Sequence, residues 1–160
     1  MRHNSSTRWG SVSIALHWTI AALILLVQLP AGVAMLRVEP GPLQDVLFNL
    51  HKNLGLLIFA LAVGRLIWRW TQPVPALPPF VPGWQARLAG LSHALLYFLI
   101  LVLPLSGFLY TAFGGFPVPL FMVWDLGRLV PAGEPQAEVW QAIHFWSQIA
   151  LVGVVAVHVA

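Results

Sequence analysis

Four apolar runs, at about residues 12–35, 47–70, 88–113 and 139–160, constrain this chain more than any other feature of its sequence. A bilayer's hydrocarbon core is about 30 Å thick and takes roughly 20 apolar residues of helix to cross. Backbone N–H and C=O groups meet no water there, so each run must satisfy them within itself, as a helix. The expected fold is all-α: an integral membrane four-helix bundle in a lipid bilayer, one domain over residues 1–160 without internal repeats. Composition agrees, because hydrophobic residues make up 59% of the chain and charged residues only 8%, against about 25% charged in a soluble domain. The pI of 10.2 rests on eight scattered Lys and Arg. That pattern belongs to membrane topology, and no nucleic-acid partner is expected. The chain has no cysteine, which excludes disulfides, iron–sulfur ligation, thiolate zinc sites and c-type haem attachment.

Met1 to Gly10 is short, polar and basic. The first apolar run has a rival reading as a signal peptide, with Gly32-Val33-Ala34 imitating a cleavage site. It exceeds the usual h-region of about 7–15 residues and carries His17, so it is read as a retained helix. Pro40, Gly41 and Pro42 mark the first turn. Pro73, Pro75, Pro78, Pro79 and Pro82 forbid helix and make a stiff connector, and Pro104 is expected to kink the third helix. Gly114 to Glu138 is a long loop of the kind that often serves as a lid. With the N-terminus cytoplasmic, Arg2, Arg8, Arg65, Arg69 and Arg87 lie inside. Arg37, Lys52 and Arg128 then lie outside with all the acids: Glu39, Asp45, Asp125, Glu134 and Glu138. The bias agrees with the positive-inside rule. Trp9, Trp18, Trp68, Trp70, Trp84, Trp140 and Trp146 are expected to form interfacial belts.

The last run, AIHFWSQIALVGVVAVHVA, places His144 and His158 on one helix face, 14 residues apart and roughly 21 Å along the axis. Alternating helix direction gives every membrane histidine a depth. His17 and His158 fall near the inner side, His51 and His144 near the outer side. Ionisable groups at such depths are expensive and are read as functional with a named partner. Facing imidazoles at one level suit the axial positions of a haem iron. With both positions filled, iron has no vacancy for oxygen, so electron transfer is the natural role. Gly55 and Gly153 are expected to give the macrocycle room. Two other readings share the pattern: histidines hydrogen-bonded across the bundle for packing, and a bis-His transition-metal site, which would want a further ligand although no acid lies inside a span.

The segments RWGSVSIALHW, HKNLGLLIFALAVGRLIWRW and LSHALLYFLILVLPLSGF, together with the His144 to His158 spacing, resemble the bacterial (prokaryotic) cytochrome b561 family over essentially the whole chain. The resemblance implies a multi-pass protein of the bacterial inner membrane holding two noncovalent haem b groups. By position, His17 and His158 match the ligands of the inner haem iron, and His51 and His144 those of the outer one. It further implies electron exchange with ubiquinone, and a superoxide:ubiquinone oxidoreductase activity with superoxide as the donor at the outer face. A second hypothesis is a haem-bearing membrane subunit passing electrons between quinone and a soluble partner enzyme docked on the outer loop. A third is a small transporter or metal channel using the histidines without haem. Family members continue into a short basic tail, whereas this sequence stops at Ala160, so a truncated end or a frayed last turn is expected after His158.

The remaining polar residues carry weaker expectations. His93, near the inner end of the third helix, has two uses: a donor to a propionate or quinone carbonyl, or a packing hydrogen bond. Arg8, Arg65, Arg69 and Arg87 suit propionates by their bidentate geometry, with snorkelling as the plain alternative. Lys52 adjoins His51 and either guides an anionic donor or snorkels. His3 is given no role, and no catalytic residue is assigned.

Overall fold

The computed structural model describes residues 1–120 and 123–159; Ala160, where the frayed or truncated end was expected, lies outside the described residues. Four helices are long and apolar enough to cross a membrane. Helix one runs Ser11–Met35, helix two Pro42–Thr71, helix three Gly83–Phe113 and helix four Glu134–Val159. Helices two to four each begin five residues before the apolar run they contain. Hydropathy marks only the part in hydrocarbon, whereas the first turn is set by start signals: Pro42 at the first helical position, Pro82 as N-cap, and Glu134-Pro135. Helix three continues through Pro104. Helix one contains a π-helical segment, Leu23–Gln28, whose wider turn is a frequent mark of functional positions.

Helices one and two pack together, helix two packs on helix three, and helix three on helix four. Helix four's backbone packs on helix three, while the gap to helices one and two is bridged by side chains. Midway along the bundle, Ile20, Ile24, Ile58, Leu99 and Leu151 form the buried core. Leu151 sits seven residues from both His144 and His158, so this apolar layer separates two polar levels. Elsewhere large apolar side chains point outward, as a lipid-facing surface requires.

Both ends are more ordered than the sequence implied. Helix three stops in a Schellman motif, with Phe116 N–H on Thr111 O and Gly115 N–H on Ala112 O. Gly115 takes φ 74°, which a side chain would resist. The loop beyond it contains two short strands, β1 (Pro119–Leu120) and β2 (Trp124–Asp125), paired antiparallel, and a 3-10 turn at Leu126–Leu129. At the other end, the first ten residues fold back over the connector between helices two and three. The Asn4 side chain accepts from Gly10 N–H (2.8 Å) and Ser13 Oγ (2.7 Å) and donates to Pro73 O (3.0 Å). His3, given no role from sequence, stacks on Trp68 at 5.2 Å. Trp68 therefore does not join the interfacial belt; its Nε1–H donates inward to Ser13 Oγ at 3.0 Å. Trp18, Trp70, Trp84 and Trp146 are exposed, as belts require.

Candidate functional site

The bundle brings four of the five spanning histidines together as two pairs, one at each end. At the end carrying the long loop, the rings of His51 and His144 lie 6.4 Å apart, centre to centre, at 80°. At the N-terminal end, His17 and His158 lie 6.2 Å apart at 74°. His93 joins the second pair, 5.1 Å from His158. Its neighbour is therefore another imidazole, a contact the sequence did not reveal.

Each pair lines its own cavity. The loop-end cavity has a volume of ≈ 160 Å³ and the N-terminal one ≈ 250 Å³, each partly open to the surroundings. Both are many times the roughly 10–15 Å³ that one water occupies by the same kind of measure, and far larger than a metal ion needs. Among the described residues there is also no group of three or more His, Cys, Asp or Glu placed to hold an ion.

His144 is the most tightly determined imidazole. Its Nδ1 lies 2.9 Å from Leu103 O and 3.2 Å from Ser106 Oγ. A carbonyl only accepts, so Nδ1 carries the proton and Nε2 keeps its lone pair free. Ser106, fully buried, donates its own hydroxyl proton to Leu103 O at 2.9 Å, which turns its lone pairs toward Nδ1–H. Such a partner on the second nitrogen is what usually fixes a metal-binding histidine. Close backbone approach seats the rings: a Cβ on Gly107 would come within 3.0 Å of His144, and one on Gly32 within 3.1 Å of His51. Gly55 lines the loop-end cavity as expected. Gly153 is different: it is exposed and lines neither cavity, because it sits about 200° around the helix from Leu151.

Gln28, at the end of the π segment, donates from Nε2 to His51 O at 3.0 Å. Its Oε1 and the Nδ1 of His51 are buried without partners. Lys52 does not reach for solvent; its Nζ donates to Pro117 O at 2.8 Å and ties the loop to helix two. Val118, 2% exposed, closes this side of the cavity. Its N–H is held by Asp125 Oδ1 at 2.8 Å, which also accepts from Gly127 N–H at 3.0 Å. These bonds, Val118's first, and Arg128 at 3.5 Å hold the Asp125 carboxyl below the usual carboxylate range.

In the N-terminal cavity Arg65 donates from Nε to Tyr97 Oη at 3.0 Å. Arg69 lies over the same ring, 5.9 Å from its centre. Asn4 and Trp9 border this cavity, so the folded N-terminal segment forms part of its wall. Arg8 and Arg87, the other candidates from sequence, do not line it.

Comparison with known proteins identifies a family. A family model described as prokaryotic cytochrome b561 matches residues 8–160. The chain is 30% identical to cytochrome b561 homolog 2 of Escherichia coli (strain K12) over 161 residues, covering 97% of this chain and 82% of the relative. It is 30% identical to cytochrome b561 homolog 1 of the same organism, over 68% of this chain and 61% of that one. A probable superoxide oxidase, CybB, of Yersinia pestis is 22% identical over 62% of this chain and 56% of its own length. With four membrane-crossing helices and a family match over nearly its whole length, the chain belongs to the prokaryotic cytochrome b561 family, multi-pass membrane proteins that bind b-type haem and transfer electrons.

Proposed function

We propose that the chain is a di-haem membrane cytochrome that carries single electrons between superoxide at the outer face and ubiquinone. His51 and His144 would hold one haem b at the loop end, His17 and His158 a second at the N-terminal end. The observation that carries this reading is the ring spacing. A metal–imidazole bond is about 2 Å and a ring nitrogen is about 1.2 Å from its ring centre, so two imidazoles sharing one iron have centres roughly 6.4 Å apart. The two pairs stand at 6.4 and 6.2 Å. The free Nε2 of His144 fits the same use. Bound b-type haem supplies a one-electron ferric/ferrous couple. The residues supply two fixed levels, an apolar layer between them, and at the loop end a lid tied by Lys52.

The likeness to a probable superoxide oxidase favours superoxide as the donor. Orientation rests on charge: Arg2, Arg8 and the ends of helices two and three share the N-terminal face, and the acids gather at the other. This puts the N-terminus in the cytoplasm of a bacterial inner membrane. Pyridine haemochrome analysis should find about two noncovalent protohaems per chain, and a value near zero would falsify the reading. A reporter fused after Ala76 should be active only in the cytoplasm, and one inserted after Gly133 only outside. The opposite pattern would exchange the two faces without disturbing the pairs. Stopped-flow mixing should show superoxide reducing the haem of the isolated protein without any partner enzyme.

A further inference from the structure

Among the described residues, Arg65 is a cation without a counter-ion. It lies within helix two, six residues before its end at Thr71, and the chain's five acids are all at the other end of the bundle. Among the described residues the ion pair found is Arg128 with Asp125, also at that far end. A snorkelling arginine sends its head to water. Arg65 instead folds onto helix three: Nε donates to Tyr97 Oη at 3.0 Å, and the guanidinium sits over the Tyr97 ring, 5.7 Å from its centre. Its Nη1 is buried and has no acceptor. The side chain lines the same cavity as His17, His93 and His158.

A guanidinium offers five N–H donors in a rigid fork. With Nε committed to Tyr97, the edge left is the end-on pair Nη1 and Nη2, whose geometry matches a carboxylate. An ionised group enclosed in a membrane bundle calls for a charged partner, and among the described residues no carboxylate is in reach. We infer that Arg65, braced by Tyr97, holds a carboxylate inside the N-terminal cavity, and that this carboxylate is a propionate of the haem seated between His17 and His158. The inference rests on the two-haem reading. An anionic lipid phosphate offers similar oxygen chemistry, so the test separates the two.

The holoprotein would be prepared in nanodiscs with haem carrying 13C in its propionate carboxyls, and redox-difference infrared spectra compared for wild type, Arg65→Gln, Arg65→Lys and Tyr97→Phe. The labelled carboxylate bands should move in Arg65→Gln, and transfer of one haem to excess apomyoglobin should be faster by about tenfold, as expected for one charge-assisted contact. Arg65→Lys keeps the charge but not the fork, and Tyr97→Phe keeps the arginine but not its brace. Each should move the same bands by less, which keeps the test open if the glutamine variant folds poorly. Labelled bands identical in all four proteins, with both haems present, would overturn the propionate pairing. So would labelled bands that ignore residue 65 together with a lipid phosphate band that shifts on adding phosphatidylglycerol to phosphatidylcholine nanodiscs in wild type but not in Arg65→Gln, which would assign Arg65 to lipid phosphate. A wild-type protein with haem only at the loop end would instead sink the two-haem reading, and this pairing with it.

Discussion

The two ends of the bundle present paired imidazoles at nearly the same spacing but reach it differently. At the loop end the rings are held by packing and hydrogen bonds. Gly32 and Gly107 admit them, and Leu103 O with Ser106 Oγ fixes the proton of His144. At the N-terminal end no comparable bond among the described residues orients His17 or His158. There the imidazoles cluster with His93, beside a guanidinium stack, under a wall made by the chain's own first residues. A site built by packing resists change at its ligand and is tuned by its neighbours. A site built from charge and a folded tail depends on groups farther from the ligand.

The largest expected effect breaks the symmetry outright. His144→Ala should lower the haem count from about two to about one per chain, with the remaining haem at the N-terminal end. His17→Ala should do the reverse, by pyridine haemochrome and by redox titration of the survivor. Should either variant lose both haems, the ends would be coupled through the central apolar layer rather than independent. Ser106→Ala sharpens the comparison. It removes one of two acceptors at Nδ1–H, leaving the imidazole a poorer electron donor, so the loop-end midpoint potential should rise. Haem release from that end should speed about fivefold, the equivalent of about 1 kcal/mol. An unchanged potential at both ends would mean that Leu103 O alone orients the ring.

The sequence made the helices and the depth pairing legible, because both depend on distances along one chain axis. Hydropathy located each span, and counting turns placed His17 with His158 and His51 with His144 before any packing was known. What the sequence hid is what depends on rotation about the helix axis or on contacts between distant segments. Gly153 has the right depth but the wrong azimuth. Gln28, Ser106 and Asn4 are short polar side chains whose partners lie 23, 38 and 69 residues away, and no local pattern announces them. The buried Asn4 was hidden a second way, since a basic, polar start reads as a loose tail. The one signal available was Gly10, where a Cβ would collide with the carbonyl of Arg2.

That collision gives the next prediction. Gly10→Ala should unseat the N-terminal segment at a local cost of about 2 kcal/mol, the scale of a broken buried hydrogen-bond network. Amide exchange at Gly10 and Ala76, whose N–H groups bond to Asn4 and Ser6, should quicken at least tenfold. The haem at the loop end should be retained. Loss of the N-terminal haem alone would extend the role of this segment from wall to support.

The smallest effect concerns the lid. Asp125 holds the turn around Val118 through two backbone N–H bonds, and Arg128 sits beside its second oxygen. Lys52, on the facing helix, holds the same lid through Pro117 O. Because the folded carboxyl titrates below its ordinary value, set by Val118 first, its contribution is complete above the unfolded pKa of about 3.9. It is lost as pH falls through the lower folded value. The lid should therefore keep its order through neutral and mildly acid conditions and loosen only in strong acid. Exchange at the Val118 amide, corrected for intrinsic rates, should show that step in the wild type. Asp125→Asn keeps an oxygen acceptor but no charge, so its Val118 amide should exchange somewhat faster than wild type above that step, at a similar rate below it, and show no acid step. An acid step that survives the substitution would pass the latch to another carboxylate at this end, and the lid would then be held chiefly by Lys52 and the burial of Val118.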